Sequence, residues 1–132
     1  TSHCMVTISD QEIGSPYIVK ADTLIVLNNP SLEKFKARVK DKGLLVLNSS
    51  LAKTADFGRI KVLQFPFTDI AIGLGNIKVA NMVALGCYLG AKKIVKIKEM
   101  LEVFRFMAPA GKADILEVNI KALQEGVRLG ND

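Results

Sequence analysis

The sequence has 132 residues, is 49% hydrophobic, and sets 18 Lys and Arg against 13 Asp and Glu, a formal charge of +5. That length fits one domain with a real core. The basic residues are spread along the chain apart from Lys92, Lys93, Lys96 and Lys98, Trp is absent and aromatics are 6%, which argues against the dense stripe and aromatic readers of a nucleic-acid binder. A mean hydropathy of +0.26 predicts apolar surface covered by a partner, although a tightly packed core gives the same value. The sign of the charge suits an acidic protein partner; solvated lysines account for it equally.

At the start, Met5, Thr7 and Ser9 alternate against Val6 and Ile8 and predict a strand. Gly14-Ser15-Pro16 is a turn signal. Thr23–Leu27 is a continuous β-rich apolar run of the kind buried on both faces of a parallel sheet, ended by Asn28-Asn29-Pro30. Ser31 is expected to cap a helix with Leu32, Phe35 and Val39 on its apolar stripe and Gly43 as its stop. Leu44–Leu47 is a second buried strand, ended by Asn48-Ser49-Ser50. Asp56-Phe57-Gly58 is a turn. Ile60–Phe65 alternates more and reads as a strand nearer an edge. After Pro66, Thr68 or Asp69 is expected to cap a short helix through Leu74.

Gly75–Gly90, GNIKVANMVALGCYLG, reads as the start and body of a central helix capped by Asn76. Ala80, Ala84, Gly86 and Gly90 recur at about one turn and would let another backbone approach closely. Asn81 is the polar residue in the run and must reach water or make specific hydrogen bonds. Ile94-Val95 precede a helix over Lys96–Met107 with Ile97, Met100, Leu101, Phe104 and Met107 on one face, closed by Pro109-Ala110-Gly111. The last helix, Ala113–Leu129, carries Ile115, Leu116, Val118, Leu123 and Val127, sets Glu117 and Asn119 on its polar side, and takes Gly130 as its stop, so that the C-terminus reads as complete.

This alternation with short connections predicts an α/β fold, a three-layer Rossmann-like domain with a mostly parallel sheet flanked by helices. In open sheets ligands collect beyond the carboxyl ends of the strands. Those ends are Asn28-Asn29 and Asn48-Ser49-Ser50, which either line a crevice or are simply what strand-ending turns prefer.

Cys4 and Cys87 are the only cysteines, and neither has a C-x-x-C neighbour, so they cannot by themselves build a cluster or a structural zinc site. Reduced thiols are expected, and with no signal-peptide pattern the expected location is the cytoplasm. The longest apolar stretch, Val79–Ala91, is interrupted and too short to span a bilayer. His3 is the only histidine, and beside Cys4 on a strand it would point to the opposite face, which argues against a nucleophile pair. No G-x-G-x-x-G, P-loop or pair of acid–base carboxylates appears, and Gly73-x-Gly75 is compatible with a tight turn or with an anion at the helix N-terminus but is weak evidence for either.

Four ordered stretches carry a resemblance over nearly the whole chain. The run N-x-K-V-A-N-M-V-A-L-G from Asn76 to Gly86 resembles a signature of the gamma subunit, or gamma domain, of 2-oxoacid:ferredoxin oxidoreductases, the pyruvate, 2-oxoisovalerate, 2-oxoglutarate and indolepyruvate enzymes. Thr1–Asp10 with Ile13-Gly14-Ser15-Pro16 is similar to the family's early strand and turn, Asp22–Leu32 to its next strand and helix start, and Gly43–Leu51 to the one after. The resemblance implies a single gamma domain over 1–132 that lacks the family's first strand, Gly-rich turn, helix and Arg-Gly-Gly. It implies a chain with no catalytic centre of its own. The family's reaction is oxidative decarboxylation of a 2-oxoacid to an acyl-CoA with electrons passed to ferredoxin. Thiamine diphosphate, magnesium and [4Fe–4S] clusters are implied on partner subunits of alpha, beta and delta type, where the missing Gly-Asp-Gly fingerprint and cluster cysteines would lie. Coenzyme A is a possible ligand of the chain, and a homodimer a possible state of the isolated chain. The resemblance implies an interface or crevice, and the residues assigned to it are Ser2, His3, Asn29, Ser49 and Asn81. The other readings are a stand-alone Rossmann-like module for coenzyme A or a nucleotide, and a scaffold with no ligand.

Overall fold

The computed structural model describes residues 2–53 and 56–131. Three apolar runs pair side by side: β1 (Ala21–Val26), β2 (Val39–Asn48) and β3 (Lys61–Phe65), all parallel, in the order β1-β2-β3. The central strand is the most buried because it is covered on both faces. Leu44 and Val46 point into a cluster with Phe67, Ala71, Val79, Val83, Ala84, Cys87 and Ala122. Leu45 and Leu47 point the other way, toward Val26, Leu32 and Ala52. The period-2 alternation of a strand thus feeds two cores at once, and the expected α/β layering follows.

The helices are α1 (Asn29–Phe35), α2 (Phe67–Gly73), α3 (Ala80–Lys92), α4 (Ile97–Met107) and α5 (Ala113–Asn131). The expected central helix is present as α3, led in by a short 3-10 turn over Ile77–Val79, where the Asn76 side chain accepts from the Lys78 N–H at 3.0 Å. Its small residues have a reciprocal partner. A Cβ on Gly86 would land on the carbonyl oxygen of Leu123, and one on Gly126 on that of Val83. Gly90 faces Val127 and Gly130 faces Cys87 in the same way. Four glycines therefore set the spacing of the α3–α5 pair at backbone contact. Gly130 is a buried packing residue inside α5 rather than its stop.

Several expectations are corrected. Residues 2–20 form no strand: Val6 and Ile8 are 71% and 74% exposed, and alternation without a neighbouring strand supplies no ladder. The helix after β1 is capped by Asn28, whose side chain accepts from the Ser31 N–H at 3.0 Å, not by Ser31. It ends at Phe35, and Val39 pairs with Ala21 as the first residue of β2. Gly43 lies inside β2, just past an irregularity that inserts extra residues opposite Ala21–Thr23. In β1 only Val26 is fully buried, because that strand is paired on one side. Finally, α4 has no buried residue: Ile97, Met100, Leu101 and Phe104 are half-covered, and Met107 is exposed.

Candidate functional site

The carboxyl ends of the strands meet around Asn48, which is 1% exposed. Its amide nitrogen donates to the Leu27 carbonyl and to the Thr68 hydroxyl, both at 2.9 Å. Its oxygen accepts from the Ser50 and Thr68 N–H groups, both at 3.3 Å. All four valences of the amide are used, so its burial carries no penalty for an unmade bond. One side chain thereby ties the end of β1, the turn after β2 and the first turn of α2. Neither Thr68 nor Asp69 caps α2 with its own side chain. The free N–H groups of that helix are satisfied from β2's exit, Thr68 by Asn48 and Asp69 by the Ser50 hydroxyl at 3.3 Å. A side-chain bond from Ser50 to the Asp69 carboxylate at 3.2 Å closes the corner.

Asn29 and Ser49 lie at adjacent strand ends on the rim of this corner. Asn29 is held: its N–H donates to the Leu51 carbonyl at 3.0 Å, and its side-chain oxygen accepts from the Lys53 N–H at 3.3 Å. Ser49 is exposed and is anchored through its backbone, N–H to the Phe65 carbonyl at 3.0 Å. Asn81 is exposed in the first turn of α3. That helix runs antiparallel to the strands, since Ala91 and Lys92 at its end share a cleft with Gly43, Leu44 and Lys61, so Asn81 stands toward the carboxyl-end side. Ser2 and His3 are elsewhere. The His3 ring packs 4.8 Å from that of Phe35, at the far end of α1 from Asn29, about 10 Å away at 1.5 Å per helical residue. Lys34 and Arg38 also lie over the Phe35 ring, at 5.3 and 5.6 Å.

The residue that sequence reasoning left out of the site is Asn48. The signal was its place as the first polar residue after an unbroken apolar strand, but the tie to Thr68 spans 20 residues and needs the fold. The corner offers hydroxyl and amide groups for hydrogen bonding and one exposed carboxylate, Asp69; it brings together no acid–base pair. Among the described residues no three His, Cys, Asp or Glu side chains come together as a metal site. Cys4 is exposed and Cys87 buried, both free. Burial pushes the Cys87 thiol up to about 11, which leaves it a packing group rather than a nucleophile. The two free cysteines, one exposed and one buried, do not make the four-thiolate set of an iron–sulfur cluster. No helix among the described residues is long and apolar enough to cross a membrane.

Comparison with known proteins places this arrangement. The family described as pyruvate ferredoxin/flavodoxin oxidoreductase matches residues 1–129. The chain is 33% identical over 127 residues to the ketoisovalerate oxidoreductase subunit VorA of Methanothermobacter thermautotrophicus, covering 96% of this chain and 26% of that protein. It is 28% identical to the 2-oxoglutarate synthase subunit KorC of Methanocaldococcus jannaschii, over 96% of this chain and 68% of that one. Among solved structures, the gamma subunit of a keto/oxoacid ferredoxin oxidoreductase from Geobacter sulfurreducens superposes with a TM-score of 0.75 at 26% identity, covering 83% of this chain and 63% of that subunit. The chain thus spans about a quarter of the length of VorA.

Proposed function

The chain belongs to the pyruvate ferredoxin/flavodoxin oxidoreductase family, and on that premise we propose that it is the gamma domain of a multi-subunit 2-oxoacid:ferredoxin oxidoreductase in the cytoplasm. The observation that carries this is the match over residues 1–129, supported by the gamma-subunit likeness at TM-score 0.75. The assembly oxidatively decarboxylates a 2-oxoacid to its acyl-CoA and passes the electrons to ferredoxin. Thiamine diphosphate with magnesium supplies carbanion stabilisation and [4Fe–4S] clusters carry electrons, all on alpha-, beta- and delta-type partners. This chain contributes a rigid α/β body. Its exposed apolar residues, Phe106, Met107 and Val103 on α4 among them, favour a partner-covered surface over a free monomer. Asn29, Ser49 and Asn81 at the carboxyl-end rim, and Ser2 with His3 beside Phe35, are assigned to subunit contact, with coenzyme A as the small ligand the rim would meet.

The test is affinity purification of the full-length protein from its own cells, with mass spectrometry and a 2-oxoacid-dependent viologen reduction assay. Thiamine-binding and iron–sulfur chains should co-purify with activity, and the preferred 2-oxoacid names the enzyme. A clean monomer with neither partners nor activity overturns the reading. The stand-alone module for coenzyme A or a nucleotide then predicts ligand-dependent melting.

A further inference from the structure

At the opposite end of the sheet from the Asn48 corner, an open cleft of about 130 Å³ is lined by Lys42, Gly43, Leu44, Lys61, Ala91 and Lys92. Three of its six lining residues are lysines and none is acidic. None of the three makes an ion pair with a described residue. The nearby carboxylates are engaged: Asp22 with Lys40 at 2.9 Å and Asp41 with Arg59 at 3.3 Å. The inserted stretch of β2 therefore pairs its first two charges and leaves the third, Lys42, on the cleft.

The backbone points the same way. Among the described residues the only non-glycine left-handed conformations are at Lys42, φ 62°, and Lys93, φ 53°. Both adjoin this cleft. Such geometry is disfavoured for a long side chain and persists only where its surroundings hold it. Next to Lys42 the backbone is tight, since a Cβ on Gly43 would sit 2.7 Å from the Lys40 carbonyl oxygen and from Val39 Cγ1. Lys93 closes α3 as its C-cap and is tied to Asn131 at 2.8 Å, which leaves Lys92 to face the cleft. The negative end of the α3 dipole gives a reason for Lys92. It gives none for Lys42 and Lys61, which come from other elements.

We propose that this cleft binds a phosphate group, held by the three lysines that line it, Lys42, Lys61 and Lys92. Its volume of about 130 Å³ accommodates one anionic group. The phosphate is either free or the exposed end of a larger molecule. The site goes beyond the subunit reading and is tested separately from it.

The experiment is lysine footprinting on the purified full-length protein with whatever partners it carries. Acetylation rates are read by mass spectrometry in sodium phosphate and in sodium chloride of equal ionic strength. Lys34, Lys53 and Lys78, remote from the cleft, are internal controls. Rates at Lys42, Lys61 and Lys92 should fall about tenfold at phosphate about ten times its Kd, with the controls unchanged. Protection by ADP at concentrations where inorganic phosphate gives none assigns the phosphate to a larger molecule; equal protection assigns it to the free ion. A uniform response of all lysines, no response, or lysines already unreactive without phosphate would overturn the site. The variant K42Q/K61Q/K92Q should lose the phosphate-dependent rise in Tm and K42R/K61R/K92R should keep it. If only the dipole of α3 mattered, K92Q would lower Tm equally in phosphate and chloride.

Discussion

Helices α3 and α4 stand a few residues apart in the chain and end in opposite environments. The first buries Val83, Ala84, Gly86, Cys87, Leu89 and Gly90; the second buries nothing. Yet α4 has the sharper division into apolar and polar faces, and α3 is apolar nearly all round. The contrast teaches that amphipathic pattern measures what a helix needs, while burial measures what it is given. The glycines of α3 meet glycines of α5 at backbone distance. Phe104 and Met107 of α4 instead line an open groove of about 240 Å³ with Met82, Pro109, Ile115 and Leu116. Phe106 points away altogether at 91% exposure.

The contrast is broken most severely at the glycine seam. Gly126→Val places side-chain carbons on the Val83 carbonyl and the Cys87 N–H, both backbone atoms with no room to yield. Urea unfolding should show a loss of roughly 4 kcal/mol, because backbone atoms on both helices must move apart. Leu123→Ala, at a fully buried site in the same seam, should cost about 3 kcal/mol and leave a dry cavity.

The thiol beneath the seam adds a pH test. Folded Cys87 has its pKa raised by burial from 9.0 to about 11, so the folded state keeps a proton that the unfolded state releases. This contribution is fully present below about pH 9 and is lost as pH rises to about 11, by about 3 kcal/mol for a shift of that size. The same titration series on Cys87→Ala should show a shallower fall. Equal slopes in the two proteins would mean that the thiol is less enclosed than the α3–α5 packing requires.

The smallest effect belongs to α4. Phe106→Ser should change the stability of the isolated chain by less than about 0.5 kcal/mol, while recovery of partner subunits with the full-length protein should drop. Amides of α4 should exchange with deuterium well before those of α3, because few buried contacts hold that helix. Matching protection in the two helices would erase that distinction.

The candidate site was legible in part. Asn29 and Ser49 are strand-ending polar residues, which mark the carboxyl edge of a parallel sheet, and both stand there. The helix N-cap at Asn76 was likewise readable from local chemistry. What could not be read was which polar residue would be consumed by the fold. Asn48 is spent on Leu27, Ser50 and Thr68, and the cap of α2 comes from another element's side chains, so local rules pointed to Thr68 and Asp69.

By itself the sequence determined the buried central strand, the central helix with its small-residue face and the α/β class, because each depends on residue type and spacing along the chain, while the family showed in the resemblance of four ordered stretches. The tertiary structure alone decided the rest. Met5 to Ser9 alternate like a strand but find no edge to pair with among the described residues. Val39 completes a helical stripe on paper, yet it is claimed by Ala21 across the sheet. Gly130 has the look of a helix stop and is instead a contact surface for Cys87, because whether a glycine ends a helix or lets another one in depends on what lies opposite it.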